Sequence, residues 1–89
     1  MTRAQQTIVN RKDGPIYVSI EVAPECYELE PGDRLTLIYD VPREGDALEV
    51  EFINEREPVV WPNGDSDPTV LINGESAKGR SWKFKHNVI

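Results

Sequence analysis

The strongest constraint on the fold is a repeated alternation of apolar and polar side chains in short runs, each bounded by proline or glycine. Within residues 27–40, one alternating run ends at Pro31-Gly32 and a second run begins just after it. Proline presets φ for the second position of a type II turn, and glycine accepts the positive φ of the third position. The sequence therefore predicts a strand, a tight turn and a second strand, paired as a hairpin.

The same alternation recurs elsewhere along the chain. Residues 16–22 and 48–53 place apolar side chains at every second position, which predicts half-buried strands with one face in water. Thr69–Ile72 and residues 81–86 are predicted as further strands. Pro58–Pro62 has a proline at each end, and proline cannot donate to a ladder, so we expect this piece at a sheet edge or in a crossing between sheets.

Proline and glycine also limit the fold class. Seven prolines and six glycines interrupt the 89-residue chain too often for long helices. About six to eight short strands at this spacing predict an all-β fold, either a single antiparallel β-sandwich or a small barrel. We expect one β domain over residues 1–89, with residues 1–15 as a short edge strand or a flexible arm. The predicted core consists of the inward-facing residues Ile16, Val18, Ile20, Leu29, Leu35, Leu37, Leu48, Val50, Phe52, Leu71, Trp82 and Phe84.

The charge balance narrows the classes of partner. Asp and Glu number 16 against 10 Lys and Arg, which gives a net charge of −6. This acidity opposes the phosphate contacts that drive nucleic-acid binding, so no nucleic-acid partner is expected. No apolar run approaches the roughly 18 residues of a membrane span, and the start of the chain lacks a signal-peptide pattern. We therefore expect no binding to membranes. Because the single Cys26 cannot form an internal disulfide, we also expect a cytoplasmic protein.

Two charged pairs share the two-residue spacing of a strand's outer face. Glu49 and Glu51 lie in an acidic part of the chain, and Lys83 and Lys85 lie in a basic one. Opposed across neighbouring strands, they would contribute roughly 0.2 to 1 kcal/mol per pair. We therefore predict that these two strands are neighbours.

One loop partly matches a calcium-binding pattern. Asn63, Asp65 and Asp67 occupy its first, third and fifth positions, which supply oxygen ligands. The pattern then fails, because Pro68 replaces the required glycine and Gly74 stands where a bidentate acid belongs. An ordinary turn held by Asn and Asp side chains is the favoured interpretation.

Residues 27–37, Tyr-Glu-Leu-Glu-Pro-Gly-Asp-Arg-Leu-Thr-Leu, resemble the strand-turn-strand that opens cupredoxin-type domains. This resemblance implies a sandwich. The family's copper site takes two histidines and a cysteine, usually with a methionine. This chain has one cysteine, Cys26, but a single histidine, His86, and its only methionine is the initiator. We therefore expect no metal and no cofactor, with Cys26 as a packed thiol and His86 as a surface imidazole.

The chain also resembles small uncharacterised bacterial β-sandwich proteins. The resemblance is carried by Tyr-x-x-x-Pro-Gly at residues 27–32, Leu-Glu-Val-Glu at residues 48–51, and Trp61 beside Pro62. It implies a β domain and brings no activity with it.

Catalytic motifs are not found in the sequence. Acid-base catalysis by paired carboxylates needs a desolvated acid, and Asp65 and Asp67 lie in a polar loop. No local pattern places His86 beside a nucleophile, and no phosphate-binding glycine loop occurs. We expect a protein that is not an enzyme.

The best candidate for a binding surface is the apolar run Val59, Val60 and Trp61. Three consecutive residues of a strand cannot all face one core, so at least one should point outward. The alternative is that Trp61 plugs the end of the sandwich. If it is exposed, the patch predicts a protein-interaction module or accessory subunit that binds a protein partner or a second copy. The runner-up function is a carbohydrate-binding module that uses exposed aromatics; nothing in the sequence names the ligand.

Overall fold

The computed structural model describes residues 2–21 and 24–86, and these residues form two four-stranded β-sheets without a helix. The predicted all-β sandwich is confirmed, and the sheets do not close into a barrel. The first sheet has the order β1-β4-β7-β8, with β1 Arg3–Val9, β4 Arg34–Asp40, β7 Thr69–Ile72 and β8 Glu75–Ser76. The second has the order β3-β2-β6-β5, with β2 Ile16–Ile20, β3 Glu25–Leu29, β5 Leu48–Phe52 and β6 Pro58–Pro62. Of the predicted strand at residues 16–22, Val22 lies outside the described residues.

The core lies between the two sheets and follows the alternation of their central strands. β2 and β4 contribute every second residue, and burial of a large apolar side chain stabilises the fold by roughly 1.5 to 3 kcal/mol. The buried apolar cluster comprises Ile16, Val18, Ile20, Tyr27, Leu29, Leu35, Leu37, Tyr39, Val60, Ile72 and Ala77. Of the predicted core, Leu48, Leu71 and Phe84 are half-buried, and Val50, Phe52 and Trp82 are exposed. Those last three predictions were wrong.

The turn at Pro31-Gly32 forms as predicted, but it does not make a hairpin. The carbonyl of Glu30 accepts a hydrogen bond from the N–H of Asp33 at 2.9 Å, and Gly32 has a φ of 89°. The strands on either side enter different sheets, because β3 pairs with β2 whereas β4 pairs with β1 and β7. The turn is therefore a crossover between the sheets. Two strands that face one core from opposite sides show the same alternation as two paired strands, so the pattern could not separate these arrangements.

β6 lies inside the second sheet, between β2 and β5, and not at an edge. Its prolines occupy only the ends, so the three residues between them supply the backbone N–H groups. β6 pairs with β5 over its whole length and with β2 in parallel over Ser19↔Val59 and Ile20↔Val60. The sandwich is thus antiparallel apart from this short pairing.

Residues 81–86 follow β3 without forming the predicted strand. The N–H of Trp82 donates to the carbonyl of Cys26 at 2.8 Å, and the N–H of Cys26 donates to Ser81 Oγ at 3.0 Å. β5, which carries Glu49 and Glu51, lies at the opposite edge of this sheet. The prediction that β5 lies next to the segment carrying Lys83 and Lys85 is therefore wrong within one molecule.

β7 and β8 form a hairpin that the sequence analysis did not predict. Asn73 and Gly74 have φ values of 54° and 84°, as a two-residue type I′ turn requires. Among the described residues, no helix reaches the length and apolar character needed to cross a membrane.

Candidate functional site

The predicted patch divides between the two faces of β6. Val60 is 0% exposed and belongs to the core, so it cannot contact a partner. Val59 and Trp61 point to the outer face of the second sheet, where both are half-buried. The Nε1 atom of Trp61 is buried and has no hydrogen-bond partner among the described residues. The surface open to a partner at this strand is therefore small.

A larger apolar surface opens where the edge strands β1 and β5 face each other. This opening, which we call the edge cleft, has a volume of about 400 Å³. Its apolar lining consists of Ile8, Val9, Ile16, Val50, Phe52 and Pro58.

The exposure of β5 explains why the cleft is open. Val50 and Phe52 take the inward positions of the alternation but lie at the rim, where they are 47% and 68% exposed. Ile53, which follows the strand, is 69% exposed. Clustered exposed apolar side chains of this size commonly mark binding sites, whereas isolated ones do not. Sequence reasoning missed this site because alternation shows which face is apolar, without showing whether the facing sheet covers it.

The backbone of β5 adds a second feature to the cleft. In the described part of the chain β5 pairs only with β6, so its outer edge presents N–H and C=O groups without strand partners. An unpaired edge of this kind can accept another strand.

An ion pair joins the two loops that carry Lys12 and Glu55, which are lining residues of the cleft. Arg56 Nη2 donates to Asp13 Oδ1 at 2.9 Å, and this hydrogen bond lowers the pKa of the Asp13 carboxyl. The carbonyl of Arg56 accepts from the N–H of Tyr17 at 2.8 Å. These contacts join β2 and the loop before it to the loop before β6.

Charge distinguishes the two sides of the edge cleft. Glu49 and Glu51 are exposed on β5, and Glu55 lies at the rim. Arg11 and Lys12 line the side that belongs to the loop after β1. The β5 side is therefore acidic.

The opposite edge of the second sheet is covered by residues 81–86. The buried Glu28 carboxylate accepts the N–H of Lys85 at 2.8 Å and the N–H of His86 at 3.0 Å, one at each oxygen. The ring of Phe84 packs edge-on against Tyr17, with 5.1 Å between centroids. Trp82 remains 60% exposed.

Glu28, Glu30 and His86 form a cluster whose ligand-type atoms lie within 4.8 Å of one another. These atoms already bond to the protein: Glu28 accepts two backbone N–H groups, and Glu30 Oε1 lies 2.6 Å from His86 Nε2. Lys83 and Lys85 line the same hollow and oppose a cation there. The arrangement is suited to fastening residues 81–86 to the sheet.

Cys26 lies apart from this cluster. The thiol is buried and receives a hydrogen bond from Ser19 Oγ at 3.5 Å. Burial raises its pKa above the ordinary value of 9.0, which keeps the weakly nucleophilic thiol form. Such a cysteine is suited to packing.

The side chains of the calcium-like loop hydrogen-bond to backbone groups, one within the loop and two outside it. Asp65 Oδ1 accepts the N–H of Asp67 at 2.9 Å, and Oδ2 accepts the N–H of Asp40 at 2.8 Å. Asn63 Nδ2 donates to the carbonyl of Asp46 at 2.9 Å. This is the turn held by Asn and Asp side chains that the sequence favoured.

The fold and the site together define a small two-sheet β protein whose apolar edge cleft has acidic side chains along β5. No family model, curated protein or solved structure matches the chain. The predicted small all-β fold is confirmed, and the cupredoxin-like and bacterial groupings gain no support from these comparisons.

Proposed function

We propose that the chain is a small, non-catalytic protein-interaction module or accessory subunit that binds an extended protein segment at the edge cleft. The observation that carries this proposal is the exposure of Val50 and Phe52 along an edge strand with no outer partner. A partner strand would pair with the backbone of β5 and bury alternate side chains against these two residues.

The charge on β5 specifies the chemistry of the partner. Glu49 and Glu51 alternate with the apolar residues of the strand. A matching segment would alternate apolar residues with Lys or Arg. Its apolar side chains would pack on Val50 and Phe52, and its basic side chains would face Glu49 and Glu51, because opposite charges across neighbouring strands attract. The expected partner is a basic, alternating strand.

The composition of the cleft favours binding over catalysis. Its lining is mostly apolar, and the acidic Glu55 at its rim is exposed to water. General acid-base catalysis requires a desolvated, positioned acid or base, which an exposed rim carboxylate does not provide. A reducing cytoplasm forms part of this proposal, and it is supported by the unpaired, buried thiol of Cys26.

The proposal is tested with synthetic peptides of alternating Val and Lys, and of alternating Val and Glu. We expect the basic peptide to bind and to shift the backbone amide NMR signals of β5, with affinity that falls as salt rises. Phe52→Ser should weaken binding by at least about tenfold, because it removes exposed apolar contact area.

Trp82→Ala is the matched control, since it removes an aromatic of similar exposure at the other edge of the same sheet. It should leave peptide affinity unchanged. Equal binding of the basic and acidic peptides, or shifts confined to strands other than β5, would refute strand addition at this cleft.

A carbohydrate-binding module remains the second candidate, supported by the exposed indole of Trp82. Sugars stack on such rings, and stacking changes tryptophan fluorescence. A glycan panel that leaves the fluorescence of the wild type unchanged would remove this candidate.

A further inference from the structure

We infer that the protein partner at the edge cleft is a second copy of this chain, which docks head to tail with its residues 81–86 against β5. This inference rests on the proposed function and names its partner. Residues 81–86 contact β5 through their side chains, because the N–H groups of Trp82, Lys85 and His86 already bond to Cys26 and Glu28. The inference follows from complementary features at the two edges of the second sheet, beginning with charge.

Most of the exposed charged side chains at the two edges are of opposite sign. On the β5 side, the exposed acids are Glu44, Asp46, Glu49, Glu51 and Glu55, beside the exposed base Arg43. On the β3 side, the exposed bases are Lys78, Arg80, Lys83 and Lys85. None of the ion pairs found among the described residues involves these groups.

The acids that line the hollow beside Lys83 and Lys85 are Glu28, Glu30 and Asp33, and their hydrogen bonds go to other groups of the chain. The carboxylate of Glu28 is buried and receives two backbone N–H groups, and Glu30 pairs with His86. Lys83 and Lys85 are therefore left to interact with solvent or with another molecule.

Exposed apolar side chains accompany the charges at both edges. Trp82 lies between Arg80 and Lys83, and its indole is 60% exposed. Its backbone has a φ of 63°, a left-handed conformation that a bulky residue rarely adopts. Such conformations are found more often where a side chain serves a binding role. At the acidic edge, Val50 and Phe52 offer the apolar surface that an indole would cover.

The charge pattern also selects the orientation of the two copies. A contact between two β5 strands would set Glu49 and Glu51 against the same residues of the second copy, and like charges on opposed strands repel. A contact between β5 and residues 81–86 sets acids against lysines. Because the two surfaces differ, the interface is heterologous and builds rings or open chains.

The first test measures the sedimentation coefficient of the full chain over a wide range of concentration. We expect it to rise with concentration, with dissociation constants in the micromolar range or weaker, as is typical of small interfaces. Raising NaCl from about 50 mM to about 500 mM should weaken the association at least several-fold. A single monomeric species at all concentrations would overturn the inference.

Charge reversal provides the sharper test. Glu49→Lys/Glu51→Lys and Lys83→Glu/Lys85→Glu should each weaken self-association by at least about tenfold. The quadruple variant should restore it, since the two edges are again opposite in sign. Failure of the quadruple variant to recover, with every variant folded by circular dichroism, would contradict a direct contact between these residues.

The orientation is tested by mixing Phe52→Ser with Trp82→Ala. In a head-to-tail contact, each variant retains one intact surface, so the mixture should form a heterodimer that neither variant forms alone. If the Trp82→Ala variant still associates with itself as strongly as the wild type, residues 81–86 are not the docking element and the inference fails.

Peptide binding separates this inference from the proposed function. Trp82→Ala cannot associate head to tail but keeps the edge cleft, so it should still bind the basic peptide. A wild-type protein that binds the peptide while remaining monomeric would support the proposed function and refute the second copy as its partner.

Discussion

Asn10 is a buried polar residue that the sequence reading did not single out. Its side chain is enclosed, at 1% exposure, and makes three hydrogen bonds. Nδ2 donates to the carbonyls of Gly14 and Leu29 at 2.9 Å each, and Oδ1 accepts the N–H of Lys12 at 2.8 Å. In the sequence, Asn10 stands at the end of a short apolar run and looks like any turn residue. Only the fold brings the carbonyl of Leu29 to it.

Asn10→Ala should lower the free energy of unfolding by about 2 to 4 kcal/mol, because it leaves buried backbone groups without partners. Urea denaturation would measure this loss. Asn54→Ala is the matched control, since Asn54 also bonds the backbone two residues on but is exposed. It should cost less than about 1 kcal/mol. Equal losses in the two variants would show that burial of the Asn10 amide contributes nothing.

Residues 81–86 depend on one carboxylate for their attachment to the second sheet. The two oxygens of Glu28 receive the N–H groups of Lys85 and His86. Phe84 adds its contact with Tyr17, and Trp82 Nε1 donates to the carbonyl of Pro24 at 3.0 Å. This segment therefore covers the β3 edge through a few specific contacts and without a strand ladder.

Glu28→Gln should loosen this segment, because a neutral amide has only one accepting oxygen. We expect faster hydrogen exchange at the N–H groups of Lys85 and His86, and a stability loss of about 1 to 3 kcal/mol, since hydrogen bonds to a charged acceptor contribute this much. Glu30→Gln is the control, because Glu30 hydrogen-bonds to the His86 ring and not to the backbone N–H groups of Lys85 and His86. Unchanged exchange in Glu28→Gln would contradict the attachment.

For β5, the local sequence pattern predicted the strand but not how much of it is covered. Leu48–Phe52 forms the predicted strand with the predicted alternation, because both follow from residue types and period. Whether Val50 and Phe52 are covered depends on the width of the opposite sheet at that edge, which no short stretch of sequence specifies. The exposed pair, and with it the edge cleft, came from the tertiary structure.

Three buried acidic groups connect the stability of the whole molecule to pH. Burial raises the pKa of Cys26 above its ordinary value of 9.0, and it raises the pKa values of Tyr17 and Tyr27 above 10.0. Glu28 adds to the shift of Tyr17 through its charge and a hydrogen bond. Above the ordinary values, the unfolded chain loses protons that the folded chain keeps, so stability falls as pH rises.

As far as these groups are concerned, the free energy of unfolding should therefore be level at neutral pH and should decline as the pH approaches and passes 9.0. Urea midpoints measured from neutral to alkaline pH would show the decline. Cys26→Ala removes the first of the three groups, so its curve should fall less steeply just above pH 9.0. Identical slopes for this variant and the wild type would contradict the role given to Cys26.

The sequence by itself determined the strands, their apolar faces and the turn at Pro31-Gly32. These depend on the period of a strand and on the φ values that proline and glycine accept, which are local properties. The tertiary structure decided which sheet each strand enters and which apolar faces stay open. In that structure, β3 and β4 belong to different sheets, β6 lies in the interior of the second sheet, and Val50 and Phe52 are exposed. Strand pairing and burial depend on contacts between residues far apart in the chain, and the same local alternation is compatible with several such arrangements.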